Sequence, residues 1–125
     1  MEATRTPKLA PYLVVDDARE MIDFLEKGLG GTLTFESKGE DDRVHHAEVR
    51  IADSVVVLSE GQGENRFSAM LHLYVDDADA AHRRAMTAGA KNVRAPEDQS
   101  DGDRRGGVQD RWGNQWWFTR PPAAR

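Results

Sequence analysis

The chain has no cysteine, and that absence removes a disulfide framework, a thiolate nucleophile and every cysteine-type zinc site. No segment approaches the roughly 20 consecutive apolar residues of a membrane-spanning helix, and the opening Met-Glu-Ala-Thr-Arg-Thr-Pro lacks the apolar run of a signal peptide. A cytoplasmic location with no membrane partner is the expectation. Dense clusters of Lys and Arg are missing too: 17 basic against 22 acidic residues leave a net charge of −5. Nothing here can follow a phosphate backbone, which sets nucleic acid aside as a partner. The acidic balance instead favours cationic or neutral ligands through long-range attraction.

What the chain does carry is concentrated near residue 120. All three tryptophans fall within six residues of the stretch Asp110-Arg111-Trp112-Gly113-Asn114-Gln115-Trp116-Trp117-Phe118-Thr119-Arg120. As a turn followed by a strand, it puts Gln115, Trp117 and Thr119 on one face and Trp116 and Phe118 on the other. One aromatic face can serve a core; the other has to meet something else.

The rest of the chain supplies elements to pack against that strand. Residues 9–15 alternate as a strand, with Leu9, Pro11, Leu13 and Val15 on one face. Asp17 is placed as an N-cap with Glu20 as its capping-box partner. A helix follows, with its stripe at Ala18, Met21, Ile22, Leu25 and Leu29, and Gly28, Gly30 and Gly31 stop it. Strands are expected at 32–37, 45–51 and 54–59, the last two joined at Ala52-Asp53 so that Arg50 faces Val55, Glu48 faces Val57 and His46 faces Ser59. The pattern then restarts: a strand at 70–75, a helix capped by Asp76-Asp77 with its stripe at Ala78, Ala81, His82 and Ala85, and strands at 91–95, 105–110 and 114–120. Residues 96–102 read as a loop, and Asp98, Asp101 and Asp103 as a solvated acidic cluster without the spacing of a calcium loop.

This restart is a repeat. Val15-Asp16-Asp17-Ala18 recurs as Val75-Asp76-Asp77-Ala78, and the same offset of 60 carries Asp53-Ser54-Val55-Val56-Val57-Leu58 onto Gly113-Asn114-Gln115-Trp116-Trp117-Phe118. The organisation read from it is a polar tail at 1–8, a first module at 9–60, a linker at 61–69, a second module at 70–120 and a tail at 121–125. The fold class expected is α+β: two βαβββ modules, each a curved mixed sheet with its helix outside.

Two such modules, with a strand-Val-Asp-Asp start and an Asp-x-aromatic-Gly-Asn closing hairpin, resemble the vicinal oxygen chelate superfamily of glyoxalases, bleomycin-resistance proteins and dioxygenases. The segments His46-Ala47-Glu48-Val49-Arg50-Ile51-Ala52-Asp53-Ser54 and Asp110-Arg111-Trp112-Gly113-Asn114-Gln115-Trp116 look most like its bleomycin-resistance branch. The resemblance implies a homodimer with ligand grooves at module or subunit boundaries. Metal-dependent members take His or Glu ligands from the first and last strand of each module. Carried over by position, those sites fall on Ala10, Val57, Met70 and Trp117, or, with a slip of two, on Tyr12, Ser59, His72 and Thr119. The first set has no suitable donor and the second one good ligand, so no metal or other cofactor is expected.

The function expected is therefore binding without turnover: sequestration of a bulky, partly aromatic antibiotic or peptide natural product. Tyr12, Val55, Val57, Met70, Tyr74 and Trp117 would line the groove, and His46, Glu48, Arg50, His72 and Gln115 would give orienting polar contacts. Trp112 either reaches over the cavity mouth or plugs its own hairpin. His82 is read as a satisfied packing residue. The alternative is a glyoxalase- or dioxygenase-type metalloenzyme with a rearranged His46, Glu48, His72 ligand set.

Overall fold

The computed structural model describes residues 9–61 and 66–122. The expected tail at 1–8, residues 123–125 of the expected tail at 121–125 and residues 62–65 of the expected linker at 61–69 lie outside the described residues. The chain divides into two compact units, residues 1–67 and 68–125. The first contains β1 (Tyr12–Val15), α1 (Ala18–Leu29), β2 (Thr32–Lys38), β3 (Val44–Ile51) and β4 (Ser54–Glu60). The second repeats that order with β5 (Met70–Tyr74), α2 (Ala78–Thr87), β6 (Lys91–Asp98), β7 (Arg104–Gln109) and β8 (Gln115–Arg120). The sheets have the strand orders β1-β4-β3-β2 and β5-β8-β7-β6. In each, the first strand pairs parallel to the last and the other pairings are antiparallel. The fold is the expected duplicated α+β arrangement.

The offset of 60 holds in space, since Tyr12 pairs with Val57 and His72 with Trp117. It falls to 59 in β7, because Arg50 pairs with Val55 across a loop one residue shorter than the one joining Gln109 to Gln115. The β3–β4 pairing puts Arg50 against Val55 and Glu48 against Val57, as the alternation predicts.

Each helix packs on one face of its own sheet, and the two interfaces divide volume in opposite ways. Helix α1 offers large side chains, Met21, Ile22, Phe24 and Leu25, to a sheet face of Ala47, Val49, Val56 and Leu58. Helix α2 buries only Ala78 and Ala85, and the sheet beneath it supplies the bulk through Trp116 and Phe118. In both arrangements a large side chain on one layer meets small ones on the other, the complementarity that close-packed cores need. Phe24 belongs to the α1 stripe in place of Leu29, which is less buried at the last turn.

Four local expectations are corrected. Strand β1 begins at Tyr12, not residue 9; Leu9 is exposed, and Pro11 contributes only its carbonyl, which accepts from the Val57 N–H at 2.9 Å. Strand β6 runs on through Pro96 to Asp98 where a loop was expected. An edge strand needs no N–H at a bulge, and Gly106 makes room: a Cβ there would lie 2.8–2.9 Å from Pro96 atoms. Asp103 is buried and paired with Arg105, so the acidic loop is not uniformly solvated.

The fourth correction concerns the start of α1. Asp17 does accept from the Glu20 N–H, but its own N–H goes to Glu60 Oε2 at 2.7 Å, and the Ala18 N–H goes to Glu60 Oε1 at 2.8 Å. A carboxylate from the end of β4 thus caps the helix in place of Glu20, and the Arg43 guanidinium holds it from the other side at 3.2 Å. Burial pushes the Glu60 carboxyl up, but the Ala18 and Asp17 amides and Arg43 outweigh it and leave the pKa below its ordinary 4.5. Glu60→Gln is expected to lose about 1 kcal/mol at neutral pH, the usual size of a charged cap. Because the folded pKa is depressed, that difference is present in full above pH 4.5 and disappears as pH falls through the folded value. Urea unfolding of both proteins at pH 7, 5 and 3.5 measures it.

Candidate functional site

The Asp-x-Trp-Gly-Asn stretch is built around a single buried carboxylate. Asp110 Oδ1 accepts from the Trp112 and Asn114 backbone N–H groups at 3.0 and 2.9 Å, and Oδ2 accepts from Asn114 Nδ2 at 3.1 Å and Trp116 Nε1 at 2.9 Å. Asn114 Oδ1 in turn accepts from the Ala69 N–H at 2.9 Å, and the Gln115 N–H donates to the Ala69 carbonyl at 2.9 Å. The motif therefore ties the β7–β8 hairpin to the start of β5. Its role is architectural: it sets where β5 and β8 lie side by side. Trp112 is half-buried, with the Arg111 guanidinium 4.8 Å over its ring.

The chemistry-bearing side chains lie on the sheet faces away from the helices. In the first unit one transverse row crosses all four strands: Tyr12 on β1, Val57 on β4, Glu48 on β3 and Phe35 on β2. Tyr12 is 53% exposed and Phe35 50% exposed, large fractions for aromatic rings. His46 lies between them, its ring centroid 6.1 Å from Tyr12 and 5.8 Å from Phe35, and its Nε2 is 3.3 Å from Glu48 Oε2. Val55 and Val57 belong to this face but are buried, so they form its floor.

The matching row of the second unit is His72 on β5, Trp117 on β8, Gly107 on β7 and Arg94 on β6. The Trp117 indole lies over Gly107, where an added Cβ would stand 2.7–2.8 Å from three ring atoms. Its Nε1 donates to Gln115 Oε1 at 3.0 Å, which fixes the ring in its plane. Beside it, His72 stacks on Tyr74 with centroids 5.0 Å apart, and its Nε2 is hydrogen-bonded to the buried hydroxyl of Thr119. Desolvation lowers the His72 pKa and the nearby Arg105 lowers it further, against an opposing pull from Asp103. Neutral imidazole is thereby favoured. Met70 and Tyr74 are 71% and 61% exposed on this face.

Sequence reasoning missed Phe35 and Gly107, and it placed Thr119 on the Trp117 face without its bond to His72. Glycine inside a strand was the available signal for Gly107, since it marks a close approach. His82, by contrast, is satisfied as expected: its Nε2 meets Asn92 Oδ1 at 2.8 Å.

The residues at the metal positions of the resembling family do not fit a metal. In the observed pairing Val57 stands beside Tyr12 and Trp117 beside His72, while Ala10 precedes β1 and Met70 pairs with Gln115. Of these side chains His72 alone is a good ligand for a divalent ion. Among the described residues no group of three His, Asp or Glu side chains is gathered to hold one. His46 and Glu48 meet within the first unit, whereas His72 belongs to the second and is engaged with Thr119. A polar hollow of about 510 Å³ in the first unit is lined by Arg43, His45 and Glu60 and holds none of the aromatic rows.

Comparison with known proteins decides the lineage. Residues 8–118 match the model of the Glyoxalase/Bleomycin resistance protein/Dioxygenase superfamily. The chain belongs to this superfamily. An uncharacterised protein of Mycobacterium bovis is 38% identical, the match covering 92% of this chain and 84% of that one. Among solved structures, TioX from Micromonospora sp. ML1 superposes with a TM-score of 0.77 at 23% identity, covering 91% of this chain and 98% of that one. The fosfomycin resistance protein FosX from Mesorhizobium loti superposes at 0.69 with 17% identity, covering 97% of each. At these identities the structural likeness concerns the fold of the superfamily, which hosts both catalysts and binders. No helix of the described chain is long and apolar enough to cross a membrane.

Proposed function

We propose that this superfamily member binds a bulky, partly aromatic antibiotic or peptide natural product and withholds it from its target, with no bond broken, as in the bleomycin-resistance branch. The observation that carries the reading is the exposure of Tyr12 and Phe35 in the first unit and of Met70 and Tyr74 in the second, on the sheet faces opposite the helices, with Trp117 held flat over Gly107 on the second unit's face. Exposed rings held in place by their own sheet give flat contact area at small entropic cost, which suits planar conjugated ligands. The donor-poor family metal positions favour binding over metal-assisted turnover. A homodimer in the cytoplasm is the assembled form this reading takes, each exposed row being covered by ligand or by a second copy.

Titration with daunomycin and with bleomycin, followed by tryptophan fluorescence and by chromatography of the recovered drug, tests it. Saturable quenching that Trp117→Phe removes, with the drug recovered unchanged, is the expected result. Absence of saturable binding, or steady conversion of the drug, would overturn it. So would near-stoichiometric metal in the purified protein that both His46→Ala and His72→Ala abolish, which would make the chain a metalloenzyme with unusual ligands.

A further inference from the structure

Strand β6 is irregular in two places, and both irregularities re-aim a charge. On a regular strand, residues three apart point to opposite faces. Against β7, however, Lys91 pairs with Gln109, Arg94 with Gly107 and Glu97 with Arg105, with register shifts between Asn92 and Arg94 and between Arg94 and Glu97. Each shift inserts one residue, so all three charged side chains share the face of Gln109, Gly107 and Arg105, which is also that of Trp117. Glu97 stands opposite Arg105, whose guanidinium is held by Asp101 and Asp103. Lys91 and Arg94 are exposed, and among the described residues neither has a carboxylate partner.

The Trp117 indole lies over Gly107, and Arg94 is the neighbour of Gly107 on the next strand, about 4.8 Å across. A planar ring stacked on Trp117 therefore has an unpaired guanidinium at its edge, with Lys91 one row further along. A carboxylate on that edge meets the planar fork of Arg94 donors; a neutral group gains less, and a cation is repelled by both side chains. We infer that the ligand carries a carboxylate at the edge of its planar ring system, which pairs with Arg94 while the ring lies on Trp117; this rests on the binding function proposed above. Glu97 opposes an anion on its own side, which directs the carboxylate to the gap between Arg94 and Lys91. The net charge of −5 acts at long range and is screened over about 10 Å, so at contact the nearest groups decide.

Two tricyclic probes of the same shape test the inference: acridine-9-carboxylate, an anion at neutral pH, and acridine-9-carboxamide, its neutral counterpart. Calorimetric titration is expected to show the wild-type protein preferring the carboxylate by about five-fold, the size of an exposed guanidinium–carboxylate pair of good geometry. Arg94→Gln should bring that preference close to unity, and Arg94→Lys, which keeps the charge and loses the fork, should leave part of it. Trp117→Leu should weaken both probes alike, because they share the ring seat. Arg83→Gln, which removes an exposed cation on α2, controls for the net charge of the protein and should leave the preference intact. Equal affinities, a preference for the amide, a carboxylate preference that survives Arg94→Gln, or affinities untouched by Trp117→Leu would overturn the inference. If the drugs above bind and neither acridine does, the inference falls and the binding function stands. If neither the drugs nor the acridines bind, the binding function falls, and the carboxylate seat with it.

Discussion

Asp110→Ala is expected to cost on the order of 4 kcal/mol of unfolding free energy, placing it among the severe single substitutions. The carboxylate is buried and accepts four N–H bonds, two from backbone and two from side chains. Its removal leaves those donors in a site that water does not easily reach, and the cost is set by the stranded groups more than by the bonds lost. Asp110→Asn is expected to fall between wild type and Asp110→Ala, because the amide keeps one acceptor oxygen and turns an NH₂ toward the remaining donors. Urea unfolding with an unchanged m-value measures both. A loss below about 1 kcal/mol for Asp110→Ala would mean that solvent replaces the carboxylate and that the network does not bind the hairpin to β5.

The other large effect lies on the opposite side of the same hairpin. Gly107→Ala puts a Cβ at 2.7–2.8 Å from Cδ2, Cε2 and Cε3 of Trp117, too close for the indole to stay where it is. The glycine has no left-handed backbone angle, so the substitution tests steric room alone. About 2 kcal/mol of stability should be lost to overpacking. The ring must lift and its bond to Gln115 Oε1 must break. Ligand affinity should then fall about five- to ten-fold, the worth of one well-placed aromatic contact. Wild-type affinity in a Gly107→Ala protein with displaced tryptophan emission would show that the flat seat of Trp117 does not serve the ligand.

Both effects explain why parts of this molecule could be read from its sequence and parts could not. The modules were legible because their signals are local and repeat: the Val-Asp-Asp-Ala caps, the 3.6-residue stripe of α1 and the alternation of β3 and β4 each fix an element, and the common offset of 60 ties them together. The face carrying Tyr12, His46 and Glu48 in the first unit, and the one carrying Trp117 in the second, followed from alternation alone, since a strand sends alternate side chains to opposite sides. What escaped was set by contacts distant in sequence. Glu60 caps a helix 42 residues away, Gly106 yields to Pro96 across a strand pair, and Asp103 is buried by its fold neighbours despite its acidic loop. The Asp-x-Trp-Gly-Asn stretch was recognised as central, but pattern alone could not say that its polar atoms look inward to each other while the side chain of Trp117 lies on the sheet face away from the helix.

The parallel pairing of β1 with β4, and of β5 with β8, bears on the order in which the molecule assembles. Tyr12 and Val57 are 45 residues apart in the chain, and so are His72 and Trp117, whereas the antiparallel β3–β4 and β7–β8 hairpins close over a few residues. Loop closure makes the distant pairing the slower one, so the hairpins are expected to form first and the initial strand of each unit to dock last. Tyr12 and His72 arrive with those strands. Each aromatic row is therefore expected to be complete only after the final docking step of its unit, and a chain caught before that step would present a sheet with an open seam and an unfinished row.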